Sequence, residues 1–133
     1  MSALQSWEEK ARQKRTALHD LIPQEWKLSE SIIKDPPKNL TIVPSQCGIL
    51  STLDLEITEI DNIEELAQQI ARGKYSAIQV TQAYCKRAAI AHQLVNCLAE
   101  ICFLHAFERA HYLDNYYQST GGKNTRTITW NTN

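Results

Sequence analysis

Cys97, Cys102 and His105 lie close together in the chain, with His92 just upstream, and these are the residue types that bind zinc. Their spacing, C-x4-C-x2-H, is not that of a usual zinc site. Two residues five apart on a strand also point to opposite faces. We therefore expect Cys97 and Cys102 to be core thiols. His105 and His111 are six apart on one helical stretch and do not share a face well. Glu100 with Glu108, or Asp54 with Glu56, could form a carboxylate pair for acid–base work. Nothing in the pattern puts either pair in a cleft, and they read as surface groups or caps. Gly121-Gly122 has no following strand and helix, so it is no phosphate cradle. The expected inventory is no catalytic residue, no cofactor-binding residue and no metal ligand.

The elements around these residues are mostly helical. The central stretch is Tyr75 to Ile101. Ser76 and Gln79 form a capping box, and Ala77, Val80, Ala83, Tyr84, Ala88 and Ala91 follow at helical spacing. After His92 the period changes, and Asn96 to Cys102 predicts a short, mostly buried strand. Upstream, Ser6 and Glu9 make a capping box for a helix from Ser6 to Leu21, with Trp7, Ala11, Leu18, Leu21 and Ile22 on one stripe and Pro23 as its stop. From Gln24 to Leu50, Trp26 and Leu28 anchor a turn, and Ser29 to Lys34 make one helical turn. Pro36, Pro37 and Pro44 then keep the chain extended, so the segment wraps without regular structure.

Ser51 to Glu56 reads as a helical turn with Asp54 supporting the Ser51 cap, and Ile57 to Ile60 as extended. Asp61 and Glu64 mark the start of a helix carrying Ile63, Leu66, Ala67, Ile70 and Ala71, closed by Gly73. Small residues at Ala67, Ala71, Ala77, Ala83 and Ala88 permit close helix packing. A last helix from Leu104 to Tyr117 carries Leu104, Phe107, Ala110, Leu113 and Tyr117 as its stripe and stops at Gly121 and Gly122. Lys123 to Asn133 is a polar tail without helical period.

The chain has 133 residues, enough for one domain. It is 43% hydrophobic and 22% charged, a globular rather than a disordered composition. Its 14 basic and 15 acidic residues give a net charge of −1, which argues against a nucleic-acid or anionic-membrane surface. The longest strongly apolar stretch, Cys97 to Leu104, is interrupted by Glu100 and far too short to span a bilayer. The N-terminus lacks an apolar core for a signal peptide, so the four cysteines are expected reduced and the protein cytoplasmic.

Several pieces in fixed order carry a family resemblance. They are Trp7 with its basic helix, Ile22-Pro23 before Trp26, Gly48-Ile49-Leu50-Ser51 and Ile57-Thr58-Glu59-Ile60-Asp61. The runs Tyr84-Cys85-Lys86-Arg87-Ala88-Ala89, Ala91-His92-Gln93 to Asn96-Cys97-Leu98, and Ala106-Phe107-Glu108-Arg109-Ala110 to Leu113-Asp114 continue it. The chain resembles the N-terminal region of the amidase signature family, its general amidase and acetamidase branch above all, over about residues 5–118.

The resemblance implies a mainly α fragment, about four helices plus one or two short strands, of an α/β fold whose central sheet is missing. It also implies amide C–N hydrolysis. In that family a lysine and a bridging serine activate a second serine, because a neutral serine needs a base within reach. The Gly/Ser-rich signature that would hold both serines is absent. Lys123, near the place of the family lysine, follows no apolar strand and precedes Asn124, so it takes no catalytic role.

The expectation is an incomplete amidase part at 1–118 and a divergent tail at 119–133, without catalysis or cofactor. A small amide would be its substrate only within a full-length enzyme. Self-association is expected through the first helix or the exposed strand. An unpartnered strand, with each buried unpaired backbone group costing about 1–3 kcal/mol, would leave a loosely packed helical body. The alternative is a small helical interaction or dimerisation module in which Trp7, Leu18 and Ile22 dock on a partner.

Overall fold

A computed structural model of the chain describes residues 6–122. These hold seven α-helices: α1 Trp7–Asp20, α2 Glu30–Lys34, α3 Val43–Gln46, α4 Thr52–Thr58, α5 Ile63–Ala71, α6 Ala77–Val95 and α7 Phe103–Ser119. Two 3₁₀ turns, Gln24–Trp26 and Leu40–Ile42, complete the regular structure. The residues fall into two compact units. One takes 6–50 and 86–102, the other 51–85 and 103–122.

In the first unit α1 starts where Ser6 Oγ accepts the Glu9 N–H at 3.2 Å. The reciprocal half of the expected box is missing, because the Glu9 carboxylate is engaged by Arg12 and Gln13. Leu18 and Ile22 are buried, as their stripe requires, but Trp7 and Leu21 are exposed. The turn Gln24–Trp26 buries Trp26 and Leu28, the expected anchors.

Gln93 on α6 holds that turn. Its Oε1 accepts the Leu28 N–H at 2.8 Å, and its Nε2 donates to the Trp26 and Ala89 carbonyls at 2.8 and 3.1 Å. One side-chain amide thus satisfies a donor and an acceptor of an irregular segment that no neighbouring strand could satisfy. The expected irregular wrap is more ordered than its prolines suggest. Pro44 sits in the first turn of α3, where its missing N–H costs no helical bond.

In the second unit Ser51 and Asp54 form the expected reciprocal box, and Asp54 is buried by it. The helix they open runs on to Thr58, so Ile57 is helical rather than extended. Ile57, Tyr75 and Ala83 make a buried cluster, with Leu53, Ile60, Leu66, Ile70 and Val80 packed against it. Ile57 and Ala83 have no exposed surface at all. Asn62, not Asp61, caps α5, accepting from Glu64 and Glu65. Both residues are good caps, and the helix starts one residue later than the Asp61-x-x-Glu64 pattern suggests. Gly73 closes α5 at a φ of +79°, as expected. Ala67 faces outward and takes no part in the close packing expected of the small residues.

The expected strand over Asn96 to Cys102 does not form, and the described residues contain no β-strand. α6 ends at Val95, and Asn96 turns the chain with a φ of +49°. The Leu98 N–H then donates to His92 Nδ1 at 3.0 Å. An apolar run this short cannot be told from an irregular connector by its pattern, and no second strand is there to pair with it. Cys97 and Cys102 are exposed, not core thiols. With no strand edge, that ground for a loosely packed body falls away. Lys123 to Asn133, the polar tail, lies outside the described residues.

Candidate functional site

The candidate chemical groups do not converge. Among the described residues no three His, Cys, Asp or Glu side chains come together as metal ligands. His105 lies on the surface, 3.5 Å from Glu108 one helical turn on. Glu100, the other member of that proposed carboxylate pair, makes an exposed ion pair with Lys14 at 2.7 Å. Asp54 is spent on its cap. Ser119 Oγ donates to the Tyr116 carbonyl at 2.8 Å, an end-of-helix bond that leaves it without a base. Gly121 and Gly122 end α7 with φ of +61° and +71°. Lys123 lies outside the described residues.

Three side-chain clusters stand out, each with partners that pattern reading missed. The first is the start of α6. Ser76 and Gln79 make the expected box, at 3.1 and 2.9 Å. The carboxylate of Asp114 on α7 adds two more bonds, accepting the Ala77 and Ile78 N–H groups at 2.7 and 3.0 Å. A carboxylate here meets both the orphan donors and the positive end of the helix dipole. The second is Glu56, which accepts from the Tyr75 hydroxyl and pairs with Lys74 Nζ at 3.1 Å. The Tyr75 hydrogen bond, then Lys74, hold the Glu56 carboxyl below the usual carboxylate range. Tyr75 and then Glu56 raise Lys74, whose ammonium also lies 4.9 Å from the Tyr75 ring centre. The third is the Gln93 clamp.

A hydroxyl packed over glycine marks the end of α7. A Cβ at Gly73 or at Gly122 would stand 2.9 Å from the Tyr117 hydroxyl, so a side chain at either position must displace the tyrosine as well as adopt a positive φ. Two surface cavities lie within the first unit's described residues, among others. One, of about 250 Å³, is lined by Ile32, Pro37, Val43, Gln46 and Cys47. The other, of about 430 Å³, is lined by Arg15, Thr16, His19, His92, Gln93 and Asn96. In neither does a thiol or hydroxyl of the lining hydrogen-bond a histidine or carboxylate.

No family model matches the chain. Individual proteins do. An acetamidase of Emericella nidulans is 42% identical over 113 residues, which is 85% of this chain and 20% of that enzyme. An amidase of Gibberella moniliformis is 38% identical over 120 residues, 87% of this chain and 23% of the relative. Among solved structures, a fatty acid amide hydrolase superposes with a TM-score of 0.71 at 30% identity, over 88% of this chain and 21% of that one. Over most of its length the chain is similar to amidases and to this amidase-signature enzyme. It spans about a fifth of the length of the relatives it matches.

Proposed function

We propose that this chain is the non-catalytic N-terminal part of an amidase-type hydrolase, with residues 1–118 amidase-like and 119–133 a divergent tail. The complete enzyme would hydrolyse amide C–N bonds of a small amide. The observation that carries this reading is the match itself: amidase similarity over most of the chain but only about a fifth of each relative. The absence of a Gly/Ser-rich serine signature from the sequence supports the lack of catalysis. Ammonia release from acetamide or benzamide by the purified 133-residue chain tests it. No turnover is expected. Clear turnover would overturn it and make Ser119 and Lys123 the first positions to substitute.

A second reading, a helical interaction or dimerisation module, is favoured by Trp7 on α1, which is 75% exposed. Leu18 and Ile22 are buried inside the first unit and leave that role to Trp7. Self-association through α1 would serve either reading. No partner strand is involved. We assign the protein to the cytoplasm, which its four free thiols support. Its balanced charge supports a role without nucleic acid. Among the described residues no helix is long and apolar enough to cross a membrane.

A further inference from the structure

Arg15, Thr16 and His19 on α1 line the 430 Å³ cavity of the first unit together with His92 and Gln93 on α6 and Asn96 just past its end. On α1, Arg15 and His19 are four apart and so neighbours on one face. The lining carries one permanent cation and no carboxylate. Gln93 is not available to a ligand, because both ends of its amide are used by Trp26, Leu28 and Ala89.

His92 is the informative member. It is 94% buried, being 6% exposed, and its Nδ1 accepts the Leu98 N–H at 3.0 Å. With that lone pair occupied, the proton of the neutral ring sits on Nε2. Among the described residues nothing accepts that Nε2–H, and the side chains of Arg15, Thr16, His19 and Asn96 have no partner either. The cavity therefore gathers a guanidinium, an imidazole N–H, a second imidazole, a hydroxyl and an amide, with no carboxylate among them. A cation is disfavoured by Arg15 and by the protonated Nε2. An oxygen anion fits all of these groups, since charge-assisted bonds from guanidinium and imidazole are the strong ones.

We propose that this cavity binds a small oxyanion, a carboxylate or a phosphate group, held by Arg15, His19 and the Nε2–H of His92. The site lies wholly in the first unit and does not depend on the amidase reading.

The test is a titration of the full chain, labelled for NMR, with inorganic phosphate and separately with acetate, at ionic strength held constant with sodium chloride. Expected are saturable shifts of the His92 and His19 ring signals. Arg15→Ala should weaken binding about tenfold or more, a loss of about 1.4 kcal/mol. His19→Ala should weaken it less. Lys10→Ala, which removes an exposed α1 cation outside the cavity, should leave it unchanged. Tighter binding of phosphate marks a phosphate-bearing ligand, and tighter binding of acetate a carboxylate; either supports the site. Shifts that grow linearly, that chloride reproduces, or that Arg15→Ala leaves intact would overturn it. So would ring signals at unfolded positions that do not move.

Discussion

The carboxylate of Asp114 accepts the backbone N–H of Ala77 at 2.7 Å and, with its other oxygen, that of Ile78 at 3.0 Å. A residue near the end of α7 thereby caps the start of α6 across 37 positions of sequence. Asp114→Ala removes both bonds and leaves two helix-end donors without their anion. Bonds to charged groups contribute about 1.5–3 kcal/mol, so a loss in that range is expected in urea unfolding followed by circular dichroism. Asp114→Asn, which keeps one acceptor, should lose less.

Gln93 gives a second prediction. Gln93→Leu keeps the bulk but strands the Leu28 N–H and the Trp26 carbonyl in a part-buried place. Each unpaired group costs about 1–3 kcal/mol. Gln93→Glu keeps an acceptor for Leu28 but offers no donor to Trp26, so its cost should fall between wild type and Gln93→Leu. Equal stability of all three would contradict the clamp.

Burial sets the third. Ile57 has no exposed surface and anchors the cluster with Tyr75 and Ala83. Ile57→Ala should cost about 2–5 kcal/mol. Trp7→Ala, at a site 75% exposed, should change the monomer's stability by no more than about 0.5 kcal/mol. Its effect should appear instead in sedimentation, as a loss of any self-association.

The Glu56, Tyr75 and Lys74 cluster predicts a pH profile. Glu56 titrates below its ordinary 4.5 in the folded chain, so its contribution is present above 4.5 and is lost as pH falls through the lowered folded value. Lys74 titrates above its ordinary 10.5, so its contribution is present below 10.5 and is lost as pH rises through the raised value. Tyr75→Phe removes the largest cause for both groups. Carboxyl NMR titration should then show Glu56 moving back towards 4.5. A Glu56 titration unaffected by Tyr75→Phe would exclude this origin.

Gly48 and Gly73 separate strain from contact. Both have φ near +80°, but a Cβ at Gly48 meets open space and one at Gly73 meets the Tyr117 hydroxyl. Gly48→Ala should cost about 1–2 kcal/mol from backbone conformation alone. Gly73→Ala should cost more, and Tyr117→Phe should relieve part of the difference.

What could be read from the chain was local. The caps at Ser6, Ser51 and Ser76 and the stop at Gly73 each depend on residues within one turn, and each is where the pattern puts it. The strand at Asn96 to Cys102 failed because seven residues of mixed pattern do not reveal whether a partner strand exists. Gln93 and Asp114 were illegible for the opposite reason: they look like ordinary polar residues on helices, and their partners are 65 and 37 positions away. The donor-lined cavity was hidden in the same way. Arg15 reads as part of a solvated basic face, and His92 as a stray neighbour of two cysteines.

The Gln93 clamp has a consequence for how the first unit breathes. A glutamine that ties an irregular turn to a helix makes the two open together: fraying α6 past Ala89 must release Leu28, and releasing Leu28 frees the helix to fray. The Leu28 amide proton, which belongs to no helix, should therefore exchange with solvent at the rate of the last turns of α6, where Gln93 lies, rather than at the rate of the loop in which it lies.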